Sequence, residues 1–223
     1  MSKRAFEIYQ YVAPAILTPL SFWLWWRTYA GDPALVLMAW LVPIIYAYVV
    51  PGVGTNVLRM WEFDTRLRLG RFRPHHGFVF GSATAAIAWL CHPGRAHDLS
   101  GIGLTALLFA AVLGVCNIAY DIRAVRAGML KVYNQPWAEG RDARAIVMDY
   151  APWFFAGFGA VYGAGLAAAE RWAGAGRLDW AVFAWMFPAV LALCMLVPVA
   201  GYCLQSLRRH GHSGCRPVPR SAA

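Results

Sequence analysis

The residues of this chain best suited to chemistry are carboxylates placed where apolar segments give way to basic ones: Glu62, Asp64, Asp121 and Asp149, with Glu139 and Asp142 nearby. A carboxyl at a half-dry boundary can serve as general acid or base, because desolvation and neighbouring charges move its proton affinity. Arg66 and Arg68 follow Asp64, and Arg123 and Arg126 follow Asp121. A guanidinium holds phosphate or carboxylate oxygens through a fork of parallel hydrogen bonds. Asn117 lies one helical turn before Asp121, on the same face, and Tyr150 follows Asp149. The pattern predicts Asp64, Asp121 and Asp149 as acid, base or metal groups. Arg66, Arg68, Asn117, Arg123, Arg126 and Tyr150 are then predicted to bind substrate. Mg2+ would enter only with a diphosphate substrate, whose oxygens share such an ion with carboxylates; no dedicated metal site is expected. The plainer alternative is that an Asp beside an Arg at a helix exit forms a surface ion pair worth about 0–1 kcal/mol, and it applies most strongly to Asp64.

The elements that must position these residues follow from composition. Of 223 residues, 60% are hydrophobic and 14% charged, and the mean hydropathy is +0.47. A soluble domain carries roughly 25% charged residues, so a water-facing fold is excluded. The 11 Trp and 10 Tyr fall mostly near the ends of apolar runs, where amphipathic rings meet a bilayer interface. A spanning helix needs about 20 mostly apolar residues. Six stretches meet or approach that length: roughly 9–29, 34–57, 76–92, 100–121, 148–169 and 180–206. The third is short and holds Ser82 and Thr84, so a re-entrant hairpin is its alternative. The expectation is an all-α polytopic membrane protein, with about six transmembrane helices in one bundle (1–207) and a disordered tail (208–223).

Sixteen of the 20 Lys and Arg fall at the N-terminus, in the second and fourth loops and in the tail. The positive-inside rule makes that side cytoplasmic, with both termini there. The same distribution accounts for most of the +9 net charge without a nucleic-acid partner. A multi-pass protein of a cell membrane, the bacterial inner membrane for want of an organelle signal, is the expected location. Within the basic loops, Leu67–Phe72 and Met129–Tyr133 alternate apolar and basic residues and are expected to lie as interfacial helix along the headgroups. Phe63-Asp64-Thr65-Arg66 and Tyr120-Asp121-Ile122-Arg123 share an aromatic-Asp-x-Arg pattern at two helix exits, a hint of duplicated hairpins.

Other chemistries are disfavoured. No ionisable residue sits near the middle of a predicted span, against proton pumps and ion-coupled carriers and against haem between helices. The six His are too few and too peripheral for a di-iron site, and the five Cys include no CxxC pair. His75-His76 is expected at a solvated helix start, with a general base as the alternative. The N-terminal apolar run, with Pro14 and Pro19, is read as a retained first helix rather than a signal peptide. Gly159-x-x-x-Gly163 permits close helix approach, within the bundle or across a homodimer.

Two short resemblances can be stated. Gly54-Thr55-Asn56-Val57-Leu58-Arg59 looks like a motif of the membrane glycerol-phosphate acyltransferases that use acyl phosphate, but that family's glycine-lysine-rich motif has no counterpart. Asn117-Ile118-Ala119-Tyr120-Asp121 resembles the start of the Asn-x-x-x-Asp-x-x-x-Asp motif of intramembrane prenyltransferases, with Val125 in place of the last Asp. Neither assigns a family. The expected function is a membrane-embedded enzyme working at the cytoplasmic interface on a lipid or isoprenoid substrate. The alternatives are a non-catalytic assembly or scaffold subunit and a carrier for a small apolar solute.

Overall fold

Four of the chain's aspartates start helices. Asp32, Asp98, Asp142 and Asp179 each accept a backbone N–H of the first turn, at 3.1, 2.8, 2.8 and 2.6 Å respectively. Such caps satisfy donors that a helix beginning near lipid would otherwise leave bare. The computed structural model describes residues 2–220. Its long helices are α1 (Lys3–Thr28), α2 (Pro33–Gly52), α3 (His76–Cys91), α4 (Leu99–Arg126), α6 (Ala143–Ala151), α7 (Phe158–Ala173) and α8 (Trp180–His210), with a short α5 (Gln135–Ala138) in the fourth loop. α2 runs on through a π-helical turn at Val53–Val57. A second π-helical turn at Pro152–Gly157 joins α6 to α7 as one rod.

Four helices are long and apolar enough to cross a membrane: Pro33–Val57, Leu99–Arg126, Ala143–Ala173 and Trp180–His210. Their outward faces carry bare aliphatic side chains, such as Val115 at 69% and Leu196 at 64% exposure, which suits lipid rather than water. α3, at 16 residues, is an apolar helix below that length, as its sequence suggested.

The tightest seam runs between α4 and α7. A Cβ placed on Gly159 would lie 2.5 Å from the Phe109 carbonyl oxygen, and one on Gly163 would lie 2.7 Å from that of Thr105. The glycine stripe is therefore filled by α4 of the same chain. Elsewhere side chains tie helices through backbone carbonyls. Trp25 Nε1 donates to Ala85 O at 3.0 Å, and the Tyr46 hydroxyl donates to Phe154 O, inside the second π turn, at 2.9 Å. These bonds use acceptors that hydrocarbon cannot satisfy.

The basic loops depart from expectation. Leu67–Phe72 is a turn bridged between Leu69 and Phe72 rather than interfacial helix, and Leu130–Val132, within the other such segment, forms β2, pairing antiparallel with β1 (Trp61–Phe63): Trp61 with Val132, Glu62 with Lys131 and Phe63 with Leu130. Trp61, Phe63, Leu130 and Val132 turn inward, while Glu62 and Lys131 turn outward with N–O 3.6 Å between them. The alternation in Trp-Glu-Phe and Leu-Lys-Val has the two-residue period of a strand, and the ribbon spans two helix exits that single interfacial turns would leave unpaired. Residues 208–210 complete α8, and residues 211–220 fold back, with Val218 N donating to Tyr133 O at 2.9 Å and the Arg220 guanidinium 4.4 Å from the Trp137 ring centre.

Gly163→Val should force the α4–α7 seam apart and lower unfolding stability by about 1–3 kcal/mol. The check is thermal unfolding in detergent, with Gly103→Val, which has open space and helical backbone, as the comparison for added bulk without a packing partner.

Candidate functional site

At the basic end, α1, α2, α3, α4 and the rod of α6 and α7 enclose a cavity of about 170 Å³, floored by β1 and β2. Its walls are mainly aromatic and aliphatic. Its polar lining converges from separate elements: Arg73 and His76 from the start of α3, Asn117 and Asp121 from α4, and Tyr150 from α6. Cys116, exposed on α4, lies on its wall beside the outer face.

Arg73 reaches inward because Phe72, buried beneath the ribbon, and Pro74 frame a turn in which His76 N donates to Arg73 O at 3.0 Å. Its side chain is 3% exposed. Nε donates to His76 Nδ1 at 2.8 Å, and the guanidinium carbon lies 4.7 Å from the centre of the Phe63 ring. No carboxylate oxygen lies within 4.0 Å of it among the described residues. Because an arginine N–H can only donate, Nδ1 of His76 must accept, which puts the imidazole proton on Nε2. Asp121 is also buried. Its Oδ2 accepts from the Tyr150 hydroxyl at 2.6 Å, and Oδ1 takes no hydrogen bond from the described residues. Asn117 Nδ2 donates to Leu113 O at 2.9 Å. Beside Asp121, Tyr120 packs edge-on against Phe6 at 5.3 Å and tilted against Tyr9 at 5.7 Å, closing the cavity between α1 and α4.

The sequence-predicted set is thus divided. Asp121, Asn117 and Tyr150 share the cavity. Asp64 does not reach it: the Lys3 ammonium, 2.7 Å away at the surface, holds its carboxyl below the usual range. Asp149 is buried on another face of α6, where Asn134 Nδ2 and His210 Nε2 each lie 3.0 Å from its carboxylate. Arg66, Arg68, Arg123 and Arg126 are exposed, and Arg68 stands 3.6 Å from Glu62. The two aromatic-Asp exits that looked duplicated therefore do different work. Arg73 and His76 were missed, one read as a topological charge and the other as a solvated turn. The available signal was the apolar company of Arg73, between Phe72 and Pro74. Among the described residues no group of three or more His, Cys, Asp or Glu could hold a metal ion.

A second polar cluster lies at the opposite end. Glu170, fully buried on α7, accepts from the Tyr29 hydroxyl through Oε1 and from Ala96 N at 2.9 Å through Oε2, with His92 Nε2 at 2.8 Å from Oε1. Sequence reading passed over it because the fifth apolar stretch ends one residue earlier. Its oxygens are all engaged, so it joins α1, the end of α3, the following loop and α7.

No family model matches the chain, nor does any curated protein or solved structure.

Glu170→Ala should leave three buried groups without an acceptor and destabilise the fold by about 3 kcal/mol or more, at about 1–3 for each unmet group. Denaturant unfolding in detergent checks this, and Glu170→Gln, which keeps one acceptor oxygen, should lose less. At the ribbon, the Tyr133 hydroxyl donates to Glu62 at 2.7 Å and holds that carboxyl below the usual glutamate range, while burial and Glu62 push the Tyr133 phenol up to about 12. A carboxyl whose folded value is depressed contributes stability above its unfolded value, and that contribution is lost as pH falls through the folded value. Tyr133→Phe should therefore cost about 0.5–1.5 kcal/mol at neutral pH. The variant should also lose less stability than the parent on acidification below about pH 4.3, as read by unfolding midpoints across pH.

Proposed function

We propose that this protein is a membrane-embedded enzyme performing acid–base chemistry on a lipid or isoprenoid molecule at the cytoplasmic boundary of the bilayer. The observation that carries the proposal is a buried guanidinium and a buried carboxyl, Arg73 and Asp121, that line one apolar cavity without pairing to each other. A buried guanidinium deprived of a carboxylate loses several kcal/mol of hydration that the fold does not fully return. Arrangements of that kind are retained where a ligand completes them. A cavity with aliphatic and aromatic walls beside an exposed stretch of α4 suits a substrate that arrives laterally from the membrane.

Asp121 is the proposed acid or base, with Tyr150 holding one of its oxygens and Arg73, oriented by His76, receiving the polar end of the substrate. Six spans, with α1 and α3 crossing beside the four long apolar helices and both termini in the cytoplasm, is the topology that goes with this reading. It is supported by the sixteen basic residues on one side and by the packing of α1 and α3 within the bundle.

The experiment is to incubate purified protein in nanodiscs of extracted native lipids and to follow lipid and isoprenoid species by mass spectrometry. The parent should convert at least one species, and Asp121→Asn, which keeps an acceptor for Tyr150, should reduce the rate by about 10²–10⁴-fold. Equal conversion by both proteins would refute the assignment of Asp121. Topology is checked with single cysteines in a cysteine-free background: Arg126→Cys should react with an impermeant maleimide only in inverted vesicles, and Trp172→Cys only in right-side-out ones.

A further inference from the structure

The charges of the cavity also specify the head of the substrate, an inference that rests on the enzymatic reading above. Its lining holds one guanidinium, one carboxyl and one imidazole, and the imidazole is neutral because Nδ1 accepts from Arg73. A diphosphate would bring two or three negative charges to a single arginine beside an aspartate. Such heads are held by several cations or by Mg2+ shared with carboxylates, and the lining offers one cation and one carboxyl. A carboxylate head would meet Arg73 but would share the cavity with Asp121, and like charges in a half-dry site raise each other's cost. An uncharged carbonyl oxygen meets neither obstacle. Arg73 gives one of its five N–H groups to His76 and stands beside the Tyr120 hydroxyl, with further N–H groups to spare, and His76 Nε2–H has no acceptor among the described residues. Arg73 therefore has donors for one oxygen, with His76 Nδ1 fixing its guanidinium.

We infer that the substrate is an uncharged, enolisable ketone or aldehyde on a lipid or isoprenoid body, and that the protein moves its double bond by proton transfer. Asp121 Oδ1, free of hydrogen bonds while Oδ2 is held by Tyr150, removes a proton from the carbon next to the carbonyl. The C–H electron pair becomes a carbon–carbon double bond, and the carbonyl π pair moves onto oxygen, where Arg73, oriented by His76, holds it. Asp121 then returns the proton to a carbon further along the conjugated system, and the oxygen pair re-forms the carbonyl. Atoms and electrons balance with no oxidant, reductant or co-reactant. Charge balances too: negative charge passes from Asp121 to the substrate oxygen and back while Arg73 stays positive. Donors aimed at developing charge in a water-poor site are the most effective form of such stabilisation.

The test uses the purified protein in nanodiscs in D2O, with geranylacetone and a long-chain β,γ-unsaturated ketone as probes. Deuterium entering beside the carbonyl is read by mass spectrometry. The parent should exceed empty nanodiscs by at least about 100-fold, while Asp121→Asn and Arg73→Gln should fall to the empty-nanodisc rate. Nonylphenol, whose hydroxyl-bearing sp2 carbon imitates the enol, should inhibit the parent at least about 100-fold more strongly than nonanol. That arm needs no variant to fold. Exchange no faster than in empty nanodiscs, exchange that survives Asp121→Asn in a folded protein, or equal inhibition by phenol and alcohol would each overturn the proposal. So would hexadecyl phosphate displacing the ketone at lower concentration than nonylphenol, because the head would then be an anion. Asp121-dependent conversion of a native lipid would stand through any of these failures, so the two readings fail separately.

Discussion

Taking the charge of Arg73 out of water costs several kcal/mol unless other groups replace its hydration, and the arrangement of the basic end follows from how the chain meets that demand. His76 takes one N–H, and the Phe63 ring supplies an electron-rich face. Phe63 is held there by β1, and β1 is held by β2, so a two-stranded ribbon between helix exits fixes the environment of a single side chain. The same ribbon closes the cavity floor over Asp121. Without it, water would reach both charges and the site would become an ordinary solvated surface.

The two ends of the bundle bury polar groups to different effect. At Glu170 both carboxylate oxygens are engaged by three separate elements, which is how a buried polar network rigidifies a fold. At Asp121 one oxygen is engaged and the other is not, and Arg73 keeps most of its donors. A complete network has nothing to offer a ligand. An incomplete one, framed by apolar walls, does.

Much of this architecture was legible in the sequence because hydrocarbon imposes a simple code. Long apolar runs with basic flanks mark helices and their common end, and the boundaries of α2, α3 and α8 fall close to those expected. Asp121 and Asn117 were legible for a similar reason: two polar groups four residues apart on an apolar helix must face something other than lipid. The rest depended on contacts between distant segments. Asp64 and Asp121 have nearly the same neighbours in sequence, and only the position of Lys3 against one and Tyr150 against the other separates a surface ion pair from a cavity acid. The β2 strand was misread because the short alternation in Met129–Tyr133 fits an interfacial helix about as well as a strand. Arg73 was hidden among the arginines that topology requires.

The rod of α6 and α7 carries a further consequence. An α-helix turns about 100° per residue, and the π turn at Pro152–Gly157 accommodates an extra residue within it. The angular phase of Tyr150 is thereby uncoupled from that of Gly159 and Gly163, which are locked against α4. Losing that residue would let the turn close as ordinary α-helix with Tyr150 and the glycine seam both kept in phase, whereas a deletion elsewhere between them would carry Asp149 into the place of Tyr150. The turn is thus a slack link between a fixed scaffold and a working face, able to take up a change of chain length without turning the side chain that meets the substrate.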